Sequence, residues 1–143
     1  MAKGLVVFQN VCSSCHGADA KGFSDTISDP GYDAGYPPLY NSDYIKANRL
    51  RPVYILFLGA PNFLDTQITV NGHTYKNHMP PYGGGGNLSD SDIAGVLTYV
   101  RTTFDGETDY IHPEEVDSIR DTLIADCKNN MPPYCDTSQY VPQ

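Results

Sequence analysis

The stretch Cys12-Ser13-Ser14-Cys15-His16 decides the fold of this chain. Two cysteines separated by two residues and followed at once by a histidine form the attachment signature of a c-type haem. Each thiol adds across one vinyl group of the porphyrin, and the short spacing places both sulfurs on one helical turn. The histidine then falls beneath the iron and supplies one axial nitrogen. The motif therefore predicts one covalently bound haem c, held by Cys12, Cys15 and His16.

Two other interpretations of the cysteine pair fit the neighbouring sequence less well than haem attachment does. A thioredoxin-like redox pair follows a strand in a βαβ unit, and the sequence shows no such context. A zinc site needs further ligands nearby, and the next cysteine is Cys127. Haem attachment is the interpretation that the neighbouring sequence favours.

Composition indicates a single domain with short elements and many loops. The 143 residues include no tryptophan, eleven tyrosines, eleven prolines and thirteen glycines, so a bulky cofactor is expected to fill much of the interior. The net charge of −8 disfavours a nucleic-acid partner, because the phosphates would be repelled. The same charge either steers the chain towards a basic partner or serves solubility, and composition does not decide between them.

The expected compartment is the periplasm or another exported location. The longest apolar run, residues 53–58, is far shorter than the roughly 20 residues that span a bilayer. Thioether attachment of haem takes place on the outer side of the energy-transducing membrane, so we expect that a leader or anchor was removed. Cys127 and Cys135 lie eight residues apart, and an oxidising compartment favours a disulfide between them over two free thiols.

Periodicity and turn residues predict a mainly helical chain with one β-hairpin. Gly4, Val7, Phe8 and Val11 form one apolar stripe at helical spacing, and the missing side chain of Gly4 allows another helix to cross closely. Asn71-Gly72 suits the turn of a hairpin. The predicted elements are helices over 2–11, 41–50, 53–58, about 90–103 and about 113–127, a hairpin over 68–75, and an Ω-like loop over 23–36.

Met79 is the strongest candidate for the second axial ligand. It lies 63 residues after His16, which is enough chain to wrap around a porphyrin. Pro80 and Pro81 stiffen the segment, and the glycines at 83–86 let the backbone pass close to a ring. The alternative role is a core filler, which is the usual role of a lone methionine.

Other residues compete for the same position. Met131 opens a second Met-Pro-Pro-Tyr sequence, but it lies inside the proposed disulfide loop. His78 stands beside the expected ligand and is the second rival. His73 in a turn and His112 before a proline are expected at the surface.

Two further contacts with the haem site are predicted. A proline carbonyl in the stretch 36–39 accepts a hydrogen bond from the non-ligating ring nitrogen of His16, unless that stretch is an ordinary extended turn. Arg49 and Arg51 are the cations nearest this region, and either one pairs with a haem propionate or is simply solvated.

These motifs together resemble the monohaem class I cytochromes c, of the bacterial type found free or fused to periplasmic oxidoreductases. The resemblance covers about residues 3–104, and residues 70–82 look similar to cytochrome domains of copper nitrite reductases. The matching features are the Cys12–His16 motif with Gly17, Pro37-x-Leu39, the sequence from Met79 to Gly84, the helix 88–101, and the helix-crossing residues Gly4, Phe8, Val96 and Tyr99.

The resemblance implies a class I cytochrome c fold, mainly α, with helices around one haem. It makes His16 the proximal ligand and Met79 the distal ligand, gives the carbonyl role to Pro37, and places Leu39 and Arg51 among the residues that bind the cofactor. The expected organisation is a cytochrome c domain over 1–104 and a C-terminal extension over 105–143 packed on it. That extension comprises the last helix, the disulfide loop 127–135 and a tail, and it lies outside the family pattern.

The function that follows is electron transfer rather than catalysis. The expected partners are a donor dehydrogenase or membrane complex and an acceptor reductase or oxidase, with no nucleic acid. One alternative is a haem sensor, or an enzyme that reacts with a gas or peroxide after its distal methionine dissociates. A second alternative is a fixed cytochrome subunit of a larger oxidoreductase complex, attached through residues 105–143.

Overall fold

A computed structural model describes residues 2–24, 35–60, 68–75, 79–82 and 88–130 of the chain. The described part is mainly helical with one two-stranded antiparallel sheet, as the sequence predicts. Its elements are α1 (Ala2–Val7), a π-helical segment (Phe8–Cys12), α2 (Ser13–His16), α3 (Asp43–Ala47), α4 (Arg51–Leu58), β1 (Ile68–Val70), β2 (His73–Tyr75), α5 (Asp90–Phe104) and α6 (Pro113–Asn130).

The N-terminal helix continues further than its apolar stripe predicts. The sequence places its end at Val11, whereas the helical backbone runs on through the π-helical segment and α2 to His16. The Ser13 hydroxyl donates to the Gln9 carbonyl at 2.8 Å and so supports the widened turn. Single π-helical turns inside α-helices are frequent at functional sites. The continuation joins both cysteines and the histidine rigidly to α1.

Helices α1 and α5 cross at a pair of glycines. A Cβ on Gly4 would clash with the Gly95 carbonyl and would lie 2.8 Å from the Tyr99 Cβ, so the crossing requires glycine at this position. The ring of Phe8 packs next to this crossing against Tyr99 at 5.6 Å and Phe104 at 5.4 Å between centroids. The expected contact of Gly4 and Phe8 with Tyr99 is confirmed, whereas the closest approach to Gly4, by Gly95, was not expected from the sequence.

The hairpin forms at the predicted turn and is tied to α3. Ile68 pairs with Tyr75 and Val70 with His73, while Asn71 and Gly72 both adopt positive φ values of 51° and 87°. Two central residues with positive φ define the type I′ turn, whose twist matches the strands. The Asp43 carboxylate accepts from the Asn71 amide at 2.8 Å, and the Asn71 side chain accepts from the Asp43 amide at 3.0 Å. This reciprocal pair fixes the hairpin beside the N-terminus of α3.

Helix α5 is shared between the main core and α6. It begins at a complete capping box, in which Ser89 and Asp92 each accept a hydrogen bond from the other's backbone amide. Its buried face packs on α1, α4 and α6. Helix α6 contributes Val116, Ile119 and Leu123 to the same core, all of them buried. Among the described residues, no helix is both long enough and apolar enough to cross a bilayer.

Several loop predictions fall wholly or partly outside the described residues. The ends of the predicted Ω-like loop meet where Phe23 and Tyr36 exchange two backbone hydrogen bonds of 2.9 and 2.7 Å, but residues 25–34 lie outside. The glycines at 83–86 and the pairing of Cys127 with Cys135 also lie outside. The disulfide therefore stays a prediction.

Candidate functional site

One large apolar cleft lies between the helices and the hairpin. Its empty space, which is open to solvent on one side, amounts to about 1170 Å³. The residues that border this space extend along the chain from Val11 to Val100, so a group held there would contact segments that are far apart in the sequence. Its wall is formed by the π-helical segment, α2, α3, α4, both strands, α5 and the loops between them. The lining residues include Val11, Cys12, Cys15, His16, Tyr36, Pro37, Pro38, Leu39, Ser42, Tyr44, Ile55, Leu56, Ala60, Ile68, Val70, Tyr75, Met79, Tyr82, Val96, Leu97 and Val100.

The His16 imidazole is buried, and its orientation is fixed by Pro37. The ring nitrogen Nδ1 lies 2.7 Å from the Pro37 carbonyl oxygen. A carbonyl only accepts, so Nδ1 carries the proton and Nε2 keeps a free lone pair. Burial lowers the pKa of His16, and the hydrogen bond to Pro37 opposes that shift in part. The side chain is therefore held as a neutral imidazole with Nε2 ready to ligate a metal. The hydrogen bond that the sequence suggests is present.

Cys12 and Cys15 lie at the edge of the cleft and are both free thiols. Cys12 is half-buried and Cys15 is exposed, so the cysteines mark the boundary between cleft and solvent. Burial, with a smaller contribution from the charge of Cys15, raises the pKa of the Cys12 thiol to about 11. A thioether has no ionisable proton and avoids this penalty. The position of the pair suits covalent attachment of a group that fills the cleft.

Met79 lines the cleft together with His16 and is half-buried. Its backbone is paired with Ala60 in an isolated antiparallel bridge, with hydrogen bonds of 2.8 and 3.0 Å. Leu39 also lines the cleft, and its amide donates to the Ala20 carbonyl at 2.7 Å. The structure thus brings Met79, Pro37 and Leu39 to the same cavity as the cysteine motif.

Arg51 lies beside the cleft but not in its wall. Its guanidinium stacks on the Tyr44 ring, 3.5 Å from the centroid, and donates to the Tyr44 carbonyl. Within the described residues, its buried Nε has no hydrogen-bond partner. Arg49 is engaged elsewhere, because it pairs with Asp109 and Glu115. Arg51 therefore stacks on a residue of the cleft wall, whereas Arg49 pairs with carboxylates of the C-terminal segment.

Sequence reasoning missed the part of the wall that the hairpin supplies. Ile68, Val70 and Tyr75 are buried on one face of the hairpin and line the cleft. The alternation of apolar and polar residues over 68–70 is the signal that identifies this face, since side chains of a strand point alternately to its two sides. Ser42, which caps α3 by accepting from the Ile45 amide, also lies in the wall.

Of the histidines and methionines that compete with Met79, the structure describes only His73 and His112. His73 and His112 are exposed, in agreement with the surface positions expected for them. His78 and Met131 lie outside the described residues, so their competition with Met79 is not decided. No group of three or more His, Cys, Asp or Glu side chains is placed to hold a metal ion among the residues described. The zinc interpretation therefore finds no third ligand there.

The residues present fit a covalently bound haem. The wall is almost entirely apolar and accepts a large flat ring system, while the free thiols stand at its mouth. An imidazole nitrogen and a thioether sulfur are the two kinds of axial donor typical of a cytochrome c, and His16 and Met79 both line this cleft. Arg51, which stacks on the wall residue Tyr44, is a cation at the margin of the cleft that would suit a carboxylate of the cofactor.

Comparison with known proteins agrees with this fit. The family model described as Cytochrome c matches residues 1–104. A comparison with curated proteins gives no match. The family implies a covalently bound haem c with iron and haem-based electron transfer. With its helical architecture and single hairpin, the chain belongs to the cytochrome c family and has the class I cytochrome c fold.

Proposed function

We propose that this protein is an exported electron carrier with one haem c, which is attached through Cys12 and Cys15 and has His16 and Met79 as axial ligands. The observation that carries the proposal is the shared cleft of these residues. His16 keeps its Nε2 lone pair because Nδ1 is committed to Pro37, and Met79 borders the same apolar cavity.

Different residues around the cleft hold the cofactor and set its reduction potential. When bound, the haem supplies one-electron chemistry between ferric and ferrous iron. The Pro37 carbonyl fixes the His16 ring and raises its basicity through the 2.7 Å hydrogen bond. The thioether of Met79 is a soft donor, which favours the ferrous state and raises the reduction potential. The apolar wall limits the contact of the cofactor with water, and the positive charge of Arg51 beside Tyr44 would attract a propionate.

The proposed partners are redox proteins that meet the chain briefly. A donor dehydrogenase or membrane complex would deliver the electron, and a reductase or oxidase would accept it. Cys15 is exposed, so the edge of the haem attached there would be the place where an electron enters and leaves. Electron-transfer encounters bury little surface, so the complexes are expected to be weak and short-lived. Covalent haem attachment supports an exported, periplasmic location for these encounters.

Exposure of the reduced haem protein to carbon monoxide tests the ligand assignment. We expect no change in the visible spectrum of the natural protein, because both axial positions are filled. Met79→Ala should bind carbon monoxide at once, whereas the matched variant Met131→Ala should behave like the natural protein.

Each other outcome contradicts a defined part of the proposal. Carbon monoxide binding by the natural protein would overturn the closed-iron carrier and favour the sensor or enzyme alternative. Binding by Met131→Ala but not by Met79→Ala would make Met131 the distal ligand. Separately, co-purification with an oxidoreductase as one stable particle on a sizing column would favour the fixed subunit over the free carrier.

A further inference from the structure

We infer that the C-terminal end of α4, above all Gly59, is the positioning element that sets where Met79 presents its sulfur to the iron. The inference rests on the proposed function, in which Met79 is the distal ligand. Ala60 and Gly59, which contact the backbone of Met79, lie 19 and 20 positions before it in the chain. Gly59 is thus a positioning residue rather than a ligand.

The first contact is the bridge between Ala60 and Met79. The Met79 amide donates to the Ala60 carbonyl at 2.8 Å, and the Ala60 amide donates to the Met79 carbonyl at 3.0 Å. Both polar groups of the Met79 backbone are therefore committed to one residue directly after α4. Rotation of the Met79 backbone away from the cleft would break two hydrogen bonds at once.

The second contact is the close approach of Gly59 to the same carbonyl. A Cβ on Gly59 would lie 2.5 Å from the Met79 carbonyl oxygen and 3.3 Å from the Pro81 nitrogen. The nearest obstacle is backbone, which cannot move aside as the end of a long side chain can. Gly59 also has a positive φ of 75°, a conformation that side chains disfavour. Its amide closes α4 by donating to the Ile55 carbonyl at 2.7 Å.

A third contact anchors the segment after the two prolines. The Tyr82 amide donates to the Leu56 carbonyl at 2.6 Å. That carbonyl belongs to the last turn of α4 and has no partner within the helix. Pro80 and Pro81 have no amide protons, so the hydrogen bonds of Met79 and Tyr82 hold the segment on both sides of them.

Helix α4 is itself immobilised by the core. Val53 and Phe57 are 0% and 1% exposed, and both belong to the main hydrophobic cluster. A segment fixed to such a helix at three points moves only when the helix moves. The position of the Met79 sulfur is therefore set by α4.

Gly59→Ala in the haem protein tests this inference against Gly106→Ala. Gly106 also has a positive φ, of 70°, but a Cβ there would meet nothing within 4 Å. Both variants place a side chain at a positive φ, and only the Cβ of Gly59→Ala meets the backbone of Met79. We expect Gly59→Ala to lose most of the absorption band of the ferric iron–methionine bond and to bind added imidazole at least tenfold more tightly. Gly106→Ala should keep the band and the imidazole affinity of the natural protein.

The outcomes separate this inference from the proposed function. If Met79→Ala keeps the methionine band, the ligand assignment itself is wrong. If Met79→Ala loses the band while Gly59→Ala keeps it, the ligand stands and the positioning role of Gly59 is overturned. Equal effects of Gly59→Ala and Gly106→Ala would likewise overturn it, because general strain would then explain the loss.

Hydrogen exchange on the natural haem protein provides a test that does not depend on a variant folding. We expect the amides of Ala60, Met79 and Tyr82 to be protected as strongly as those in the last turn of α4, since they open only with it. Exchange of the Met79 and Tyr82 amides at least a hundredfold faster than that of Gly59 would contradict the inference.

Discussion

The haem cleft and the junction between α5 and α6 use opposite chemistry within one small domain. The cleft wall is almost wholly apolar, and its shape depends on backbone hydrogen bonds and the packing of side chains. The junction combines a buried apolar stripe with three arginines, Arg49, Arg101 and Arg120, that pair with carboxylates. The sequence shows the same division, because residues 1–104 carry a net charge of −1 and residues 105–143 carry −7.

The difference shows how a small chain keeps charge away from a redox centre. Charges interact over long distances in an apolar medium, so an unbalanced carboxylate in the cleft wall would shift the potential of the iron. Most of the net negative charge lies in residues 105–143, and buried arginines of the core pair with some of these carboxylates. Arg101 is only 4% exposed and holds Asp109 at 2.7 Å, while Arg120 holds Asp117 at the same distance. The cleft depends on its cofactor, whereas the junction depends on ion pairs and on burial.

Removal of both attachment thiols should have the largest effect, because it empties the cleft. In Cys12→Ser with Cys15→Ser we expect no haem bound after denaturing electrophoresis, and loss of most helical circular dichroism once the haem is extracted. Protein interiors are close-packed, and an apolar cavity of this size is not stable without its filling. Ser14→Ala, on the exposed residue between the cysteines, is the control. Cooperative unfolding of the haem-free variant would show that the junction alone maintains the fold.

Arg101→Ala probes the junction at its most buried charge. The guanidinium also donates to the Ile45 carbonyl at 3.4 Å, so its removal takes a donor from that carbonyl and leaves Asp109 paired, among the described residues, with Arg49 alone. We expect a loss of about 3–5 kcal/mol in the free energy of unfolding by denaturant, as for a broken buried ion pair. The control is Arg49→Ala, whose side chain is 34% exposed and should lose only about 1 kcal/mol. Equal losses would mean that burial does not distinguish these two arginines.

Asp105→Asn tests the carboxyl that connects the two regions. One oxygen accepts from the Ser42 amide in the cleft wall at 2.7 Å, and burial raises the pKa of Asp105 to about 6. The folded protein therefore retains a proton that the unfolded chain releases, and stability falls as pH rises from about 4 to 6. Above that pH range the ionised carboxylate lowers the free energy of unfolding by about 2–3 kcal/mol. The uncharged side chain of Asp105→Asn avoids this loss. We expect Asp105→Asn to raise the melting temperature at pH 8 but not at pH 4.

Asp109→Asn is the matched opposite case. The Arg101 guanidinium lowers the pKa of Asp109, so this carboxylate stabilises the fold above its unfolded pKa. This contribution to stability is lost as the pH falls through the pKa that Asp109 has in the folded protein. Asp109→Asn should therefore destabilise the protein at pH 8 and have little effect at the lowest pH. If Asp105→Asn and Asp109→Asn changed the stability at pH 8 in the same direction, the contrast between a desolvated carboxyl and a paired one would be contradicted.

Ser89→Ala should have the smallest effect, on the helix that both regions share. Loss of the Ser89 side chain removes one half of the capping box of α5, in which it accepts from the Asp92 amide at 3.1 Å. We expect a decrease of about 1 kcal/mol in the free energy of unfolding, with unchanged haem absorption. Ser91→Ala, on an exposed serine two positions later, should be nearly neutral. An altered methionine band in Ser89→Ala would show that the two regions are coupled more tightly than their packing indicates.

The sequence by itself determined the cofactor chemistry and most of the elements. The Cys12–His16 motif, the Asn71-Gly72 turn and the Ser89 cap are local signals whose chemistry acts within a few residues. The helices and the hairpin therefore appear close to their predicted positions. The π-helical continuation to His16 was missed, because a widened turn leaves no mark in apolar periodicity.

Only the tertiary structure decided how distant segments meet around the cleft. It paired Met79 with Ala60, placed Gly95 against Gly4, turned one face of the hairpin to the cavity and directed Arg49 to the C-terminal segment. Such contacts depend on the approach of backbones far apart in the chain, and a backbone carbonyl is identical in every residue. The physical reason is that periodicity shows which face of an element is buried, but packing decides what that face meets.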